Sequence, residues 1–220
     1  LWTKTYPSVN LSHGYDLCQT SDSGYVIATE GSFFKVDKNG NFMWDVYMCY
    51  CNAVKEAPNG NIIATGSTCN GPDYYTVDRV SSTGQVIWNW TYGNISDNSQ
   101  WYSVSDFVLL PDSNIMAVCD YDPGGWHLVK INYNTGDTMF TKIFPPGGGG
   151  GYNLPMTFAA DSNIFVGYGY AIRKIDQSGN SIWHQPINFN SFEIAACSDG
   201  GIAITGEIYP AWPNVNTRVV

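Results

Sequence analysis

Charge is scarce in this sequence, and basic charge is the scarcest. Asp, Glu, Lys and Arg make up 13% of its 220 residues, and 10 basic residues stand against 19 acidic ones. Nucleic acids and anionic membranes attract proteins through basic patches, so a net charge of −9 disfavours both as partners. No apolar run approaches the roughly 18 residues that span a bilayer, so we expect no membrane insertion.

Residues for catalysis or metal binding are also few. The three histidines have no metal-ligand spacing, and no Gly-x-Ser-x-Gly elbow occurs. The pairs Asp120 with Asp122 and Glu207 with Asp73 could serve glycoside hydrolysis, although solvated loop acids are the simpler interpretation. A quinoprotein dehydrogenase would need a calcium site and adjacent cysteines. We therefore predict that the protein is not an enzyme and holds no cofactor or metal.

Turns and a recurring phrase are what the sequence has in quantity. It contains 23 Gly and 11 Pro, which suits short strands joined by many turns. The phrase is a basic residue, an aliphatic residue, Asp-x-x-Gly and, four residues later, Trp. An Asn-Gly pair between apolar runs, as at Gly40, indicates a hairpin. The copies are Lys35–Trp44, Arg79–Trp88, Lys174–Trp183 and, one residue longer, Lys130–Phe140.

The aromatic residue that ends the phrase sets a period. Trp2, Trp44, Trp88, Phe140 and Trp183 are separated by 42, 44, 52 and 43 residues, and periods of this length indicate a solenoid, a propeller or an array. Midway in each period a turn is followed by an apolar run. One period therefore predicts four short strands, a to d, with c and d in the phrase, and no helical periodicity. This pattern indicates an all-β propeller.

We predict one domain of about five four-stranded blades, at residues 7–48, 49–92, 93–144, 145–187, and 188–220 together with 1–6. The last period ends in strand c, and residues 1–6 read as a strand d that completes this blade. The pairing would close a ring, or it would join neighbouring subunits into a head-to-tail filament. The chain starts at Leu1 without a leader, so we also expect a processed form, an excised domain or a partial sequence.

The phrase resembles the pyrroloquinoline-quinone-type β-propeller repeat, and still more the propeller repeats of secreted bacterial and archaeal proteins. Asp37, Gly40 and Trp44 match this pattern, whereas the second copy has Ser81 in place of Asp. The resemblance implies the fold rather than an activity. Five blades depart from the seven or eight of most members. It also implies that the aromatic residues pack between adjacent blades; these are Trp2, Trp44, Trp88, Phe140 and Trp183.

The long irregular segments all fall on b–c or d–a connections, which emerge on one face of a propeller. Binding residues concentrate in such loops, and exposed aromatic rings there can stack on sugars or anchor a protein partner. The alternative is that they pack down and cap the core. The candidate ligand-binding residues are Tyr74, Tyr75, Tyr121, Trp126, Tyr152, Tyr209 and Trp212.

Three N-x-Ser/Thr sequons, at Asn10, Asn89 and Asn94, together with six cysteines favour a secreted glycoprotein. The hairpin about Asn59-Gly60 sets Cys51 opposite Cys69, which predicts a disulfide between them, with Cys49–Cys69 as the alternative.

Together these features predict an extracellular, non-enzymatic structural or adhesive module, such as a glycosylated surface or filament subunit. Its partners would be copies of itself, other surface proteins or glycans. The alternative is a carbohydrate-binding lectin that uses Trp126 and Trp212. A propeller enzyme, of the glycosidase or quinoprotein type, is the third possibility.

Overall fold

The computed structural model describes residues 2–6, 13–68, 74–92, 104–121, 125–145, 154–208 and 216–219. All regular secondary structure in these ranges is β-strand. The chain divides into two compact units, Leu1–Val104 and Ser105–Val220. The first unit holds one antiparallel six-stranded sheet, in chain order β1 (Gly14–Gln19), β2 (Tyr25–Val36), β3 (Phe42–Glu56), β4 (Ile62–Ser67), β5 (Tyr75–Val80) and β6 (Val86–Tyr92).

Two long strands of this sheet each serve as two strands. β2 has 12 residues, and a straight strand of that length would hold its ends about 36 Å apart. Instead, a carboxylate oxygen of Asp22, which precedes β2, lies 2.7 Å from Nζ of Lys35, which is near the end of β2. The chain therefore folds back at Gly31, where φ is +96°, and residues 25–30 and 31–36 form strands b and c. β3 pairs with β2 through residues 42–50 and with β4 through residues 50–56. The sheet thus contains two successive four-strand blades.

Three further antiparallel sheets follow. The second sheet consists of β7 to β10, the third of β11 to β14, and the fourth of β15 to β17. Strands a to d occur in order in the second and third sheets, and strands a to c in the fourth. Their bounds are β7 (Val104–Leu109), β8 (Ile115–Tyr121), β9 (Gly125–Ile131), β10 (Thr138–Phe144), β11 (Met156–Phe158), β12 (Ile164–Tyr168), β13 (Ala171–Ile175), β14 (Ser181–Pro186), β15 (Asn190–Ala196), β16 (Ile202–Ile208) and β17 (Asn216–Val219).

The basic residue and the aromatic residue of the phrase are cross-strand partners. In each copy a register shift leaves the residue before the aromatic ring without a partner, as at Met43. Such a bulge redirects the side chains that follow it. For Trp44 and Phe140, the ring that follows the bulge lies on the glycine of the next c–d turn, Gly84 and Gly179 respectively. The partners are Lys35 and Trp44, Arg79 and Trp88, Lys130 and Phe140, and Lys174 and Trp183.

The Asp of the phrase organises the turn between strands c and d. Asp37 Oδ1 accepts hydrogen bonds from the backbone amides of Asn39 and Asn41, each 2.8 Å long. Ser81 accepts the corresponding bonds through its hydroxyl oxygen. Any short side chain with an acceptor oxygen can hold this turn, which explains why Asp and Ser exchange at this position.

The lysine of the phrase pairs with an aspartate in the turn between strands a and b. Lys35 is 2% exposed, and its ammonium group lies 2.7 Å from Asp22. This contact and a hydrogen bond from Thr20 lower the pKa of Asp22 to about 2. The contact recurs in the second and third sheets, between Lys130 and Asp112 and between Lys174 and Asp161.

The position of Cys51 contradicts the predicted disulfide between Cys51 and Cys69. Its side chain is fully buried beside Val54 and Ile62, and its thiol is free, so the pairing of Cys51 with Cys69 is wrong. The hairpin register sets Cys51 opposite Gly66, and a bulge follows between Cys51 and Ala53. This register turns the thiol into the core. Cys69 lies outside the described residues, and Cys49 is not among the free thiols of the described part of the chain. The Cys49–Cys69 pairing therefore stays a prediction.

Candidate assembly site

Trp44 joins two successive blades of the first sheet. Its indole N–H donates a hydrogen bond of 3.0 Å to the backbone oxygen of Ser82, in the next c–d turn. The ring lies on Gly84, where φ is +88° and an added Cβ would stand 2.6 Å from Trp44 Cγ. Only glycine fits both this backbone conformation and this close contact.

Phe140 makes the same kind of contact in the second unit. Its ring lies on Gly179, where an added Cβ would stand 3.0 Å from Phe140 Cε2. Two residues later, Lys142 Nζ donates a 2.6 Å hydrogen bond to Asn180 Oδ1 in the same c–d turn. An aromatic ring on the turn glycine, with a lysine beside it, is thus how this strand d contacts the next blade.

The N-terminal segment, residues 2–6, contacts the first c–d turn in this same way. Trp2 donates a 3.0 Å hydrogen bond from its indole N–H to the oxygen of Lys38, and its ring lies on Gly40. Lys4 Nζ lies 3.4 Å from Asn41 Oδ1, as Lys142 lies beside Asn180. Tyr6 also donates a 2.9 Å hydrogen bond to the oxygen of Gly40. The segment therefore occupies the place of a strand d of a preceding blade, although none of its residues is assigned to a ladder.

The fourth sheet has three strands in the described ranges. β15, β16 and β17 correspond to strands a, b and c, and the sheet order ends at β17. Within the described ranges no strand pairs with the outer edge of β17. A strand edge without a partner leaves backbone N–H and C=O groups available to another strand. The sequence predicted that residues 1–6 form a strand d, but it did not predict the contacts of Lys4 and Tyr6 with the first c–d turn. A shared spacing could have predicted the contact of Lys4, because Lys4 follows Trp2 by two residues just as Lys142 follows Phe140.

The aromatic residues predicted to line a ligand face are not displayed where they can be described. Tyr75 and Trp126 are each 2% exposed. Trp126 stacks on Phe144 with ring centroids 4.3 Å apart, and Tyr75 stacks on Tyr92. Both residues lie in strands rather than loops, so neither offers a face to a sugar. Tyr74 is half-buried. The remaining candidates fall outside the described side chains: Tyr121, Tyr152, Tyr209 and Trp212.

Of the three sequons, only Asn89 can be described. Its Nδ2 donates hydrogen bonds to Thr76 Oγ1 and Asp78 Oδ1. This nitrogen is the atom that an N-linked glycan would occupy, so glycosylation of Asn89 would compete with these bonds. Asn10 and Asn94 lie outside the described residues.

Two buried ionisable groups, Asp78 and His127, have shifted pKa values. Asp78 is 5% exposed, and burial raises its pKa to about 6 although Asn89 and Thr76 donate hydrogen bonds to it. Burial also lowers the pKa of His127. Among the residues that can be described, no three His, Cys, Asp or Glu side chains are placed to hold a metal. Asp73 and Asp122, from the two pairs considered for glycoside hydrolysis, lie outside the described residues.

The described chain contains no helix long and apolar enough to cross a membrane.

Comparison with known proteins establishes the class of fold. A protein of unknown function from Bacteroides caccae matches with a TM-score of 0.66 and 10% identity, over 89% of this chain and 71% of its own. The Dos1 propeller matches with a TM-score of 0.62 and 13% identity, over 89% of this chain and 52% of its own. No family model and no curated protein matches the sequence. The four-stranded antiparallel sheets and this likeness define a β-propeller fold, and the chain spans about half the length of the Dos1 propeller.

Proposed function

We propose that the protein is a secreted, non-enzymatic structural subunit that assembles with copies of itself by strand exchange. The observation that carries this proposal is the position of residues 2–6, which lie against the first c–d turn as a strand d does, although none of these residues pairs with a strand in the described part of the chain. In the assembly, this segment of one copy adds to β17 of the next. Head-to-tail addition of this kind builds an open filament.

The register of the added strand follows from the second blade. Thr65 lies five residues after Gly60, and Thr205 lies five residues after Gly200. Both glycines have a positive φ in the a–b turn, so the two threonines occupy corresponding positions. Thr65 lies opposite Val77, which in turn lies opposite Trp90, two residues after Trp88. Thr205 lies opposite Val219, so Val219 takes the place of Val77. The residue two positions after Trp2 is Lys4. The exchanged strand therefore sets Lys4 opposite Val219 and Thr5 opposite Arg218.

We expect Thr5→Cys and Arg218→Cys, carried on separate molecules and mixed in equal amounts, to form a disulfide-linked dimer. The two positions are directly opposite in the exchanged pairing, and facing residues of paired strands lie within reach of a disulfide. The measurement is non-reducing electrophoresis, followed by peptide mapping for a bond between positions 5 and 218.

Two controls make this experiment specific. Either single-cysteine protein alone must give little dimer, and wild-type protein must give none at the same concentration. If the double variant forms only an internal bond between positions 5 and 218 while the mixture stays monomeric, the segment closes a ring within its own chain and the proposal fails.

We further propose an extracellular location and a kinship of the repeat with pyrroloquinoline-quinone-type propeller repeats. Support for the location comes from the sequons and from the low content of charged residues. Support for the kinship comes from the roles that Asp37 and Trp44 take, as the turn acceptor and as the ring on the next turn. Adhesion through glycans at Asn10 or Asn94 would be a consequence of the same surface location.

A disulfide between Cys49 and Cys69 is expected with this location. Peptide mapping without reduction should recover these two cysteines joined and Cys51 as a thiol. Burial raises the pKa of the Cys51 thiol well above its ordinary value, and Asp78 and Asp16 add to the effect, so Cys51 should alkylate only after unfolding. Recovery of a Cys51–Cys69 peptide, or rapid alkylation of Cys51 in native protein, would contradict this expectation.

A further inference from the structure

Arg173 is a buried cation at the centre of β13. Its side chain is 9% exposed. The guanidinium carbon lies 5.0 Å from the ring centre of Phe144 in β10 and 5.3 Å from that of Tyr168 in β12, so the charge is placed between the second and third sheets. Contact with the two rings stabilises the cation, but it leaves the positive charge unbalanced.

No carboxylate of the described residues forms an ion pair with Arg173. Nη1 donates a 2.8 Å hydrogen bond to Ser181 Oγ, and Nη2 donates a 3.2 Å hydrogen bond to the hydroxyl oxygen of Tyr168. The cross-strand neighbour is His184, which carries no negative charge. A guanidinium does not lose its proton in proteins, so burial cannot neutralise it as it neutralises a carboxylate.

The groups around the guanidinium donate hydrogen bonds and are short of acceptors. The oxygens of Ser181 and Tyr168 accept from Arg173, so their own hydroxyl protons remain available to another acceptor. Arg173 Nε is buried without a hydrogen-bond partner in the described chain, and so is the indole nitrogen of Trp126, whose ring stacks on Phe144. Because buried donors nearly always have acceptors, this set of donors indicates a negatively charged acceptor.

The fold does not require a cation at this position. Arg173 directly precedes the basic residue of the phrase, and Phe34 and Val129 take the same place in the first blade and in the second sheet. Both are at most 1% exposed, so apolar packing satisfies the position. Asp78 takes this place in the second blade, and burial raises its pKa to about 6. Arginine cannot lose its charge in this way, so we expect an anion to balance it.

We propose that Arg173 binds a small inorganic anion of the size of chloride. The guanidinium supplies the charge, and the hydroxyl groups of Ser181 and Tyr168 supply hydrogen bonds. Ser181 is exposed on β14, which gives an ion access from that side. Arg173, Tyr168 and Phe144 are each more than nine-tenths buried, so a sugar or a peptide cannot reach the guanidinium without displacing them. The site goes beyond the proposed function, because it does not depend on strand exchange.

The test is thermal unfolding, followed by circular dichroism, in mixtures of sodium chloride and sodium gluconate at constant ionic strength. Constant ionic strength keeps charge screening the same, and gluconate is too large for the site. An ion that binds only the folded state raises the unfolding midpoint with each increase in its concentration. We expect at least about 3 °C for each tenfold rise in chloride above the dissociation constant. Crystals grown in sodium bromide should show an anomalous scattering peak beside the Arg173 guanidinium.

Variants identify the residues that bind the ion. Arg173→Gln should abolish the dependence on chloride, and Ser181→Ala should weaken chloride affinity at least ten-fold, because a hydrogen bond to a charged group is lost. Lys174→Gln is the matched control, because this neighbouring cation already pairs with Asp161. Its midpoint should rise with chloride as much as that of the wild type.

A midpoint that does not change with chloride, or that changes equally in wild type and Arg173→Gln, would overturn the proposal. A midpoint that rises with acetate but not with chloride would show a carboxylate ligand and would also overturn it. If Arg173→Gln does not fold, Ser181→Ala and the bromide peak decide the question. Loss of affinity in Ser181→Ala together with the peak supports the site, whereas wild-type affinity in Ser181→Ala without a peak contradicts it.

Discussion

Replacing Asp78 with Asn should raise the free energy of unfolding by about 3 kcal/mol at pH 7. Burial raises the pKa of the Asp78 carboxyl group from 3.8 to about 6, and each unit of difference between folded and unfolded states is worth about 1.4 kcal/mol. The folded state binds the proton more tightly, so this group stabilises the fold fully below pH 4. The contribution is lost as the pH rises towards 6, and it stays lost above that pH. Asparagine carries no charge at any of these pH values, and its amide oxygen can still accept from Asn89.

The measurement is urea denaturation of wild type and Asp78→Asn at pH 4 and pH 7. The difference between the two proteins should be near zero at pH 4 and near its full value at pH 7. Asp45→Asn is the matched control, because Asp45 is exposed on β3, and it should change stability by less than about 0.5 kcal/mol at either pH. A gap for Asp78→Asn that is the same at both pH values would show that the ionisation of Asp78 does not limit stability.

Gly66→Ala should destabilise the first unit by at least about 3 kcal/mol, the upper range for overpacking. An added Cβ at Gly66 would stand 1.7 Å from the backbone oxygen of Tyr50. Tyr50 is itself held on both sides, by Glu30 in β2 and by Ser67 in β4, so neither strand can yield without losing ladder hydrogen bonds. The measurement is thermal and urea unfolding followed by circular dichroism.

The chain offers a matched control and an internal repeat of this test. An added Cβ at Gly14, which lies on β1 at the edge of the first sheet, would have no atom within 4 Å, so Gly14→Ala should be close to neutral. Gly206 is the equivalent of Gly66 in the fourth sheet, and an added Cβ there would stand 2.0 Å from the oxygen of Asn190. Gly206→Ala should therefore also destabilise strongly. Near-wild-type stability of Gly66→Ala would mean that the bulge at Cys51 can relax.

The recurrence of this bulge explains both tests. Strand a shifts register between Gly14 and Asp16, between Cys51 and Ala53, and between Ser191 and Glu193. At the second and third of these places, the carbonyl oxygens of Tyr50 and Asn190 lie against Gly66 and Gly206 of strand b. Where strand b carries glycine, the carbonyl fills the space of the missing side chain. Conventional strand pairing read from the sequence contains no such shift.

Cys51 shows the consequence for prediction. A regular hairpin about Asn59-Gly60 gives partners whose numbers sum to 120, as Cys51 and Cys69 do. The structure pairs Cys51 with Gly66. Two of the three positions of difference arise at the turn, because Ala53 already lies opposite Thr65, and the third arises at the bulge between Cys51 and Ala53. The register of Cys51 therefore depended on the turn and on a bulge that the local sequence pattern does not predict.

Trp126 and Tyr75 show a second limit. Both follow irregular segments in the sequence, which placed them on loops. In the structure β5 begins at Tyr75 and β9 at Gly125, so both rings belong to strands. Each is then buried among aromatic residues from other strands, such as Phe144 and Tyr92. The boundary of a strand moves by one or two residues at no cost in local propensity, but that shift decides whether a ring faces solvent or the core.

The sequence by itself determined the all-β class, the four-strand period and the c–d hairpin with its partners Lys35 and Trp44. These features are local, because the acceptor at Asp37, the glycine at Gly40 and the alternation of side chains act within about ten residues. The tertiary structure decided which side chains are in contact and which are exposed. Trp2 packs on Gly40, Asp78 and Cys51 are buried, and Leu17 is exposed. Those outcomes depend on bulge register and on which sheet lies next, and both are set by packing between segments far apart in the chain.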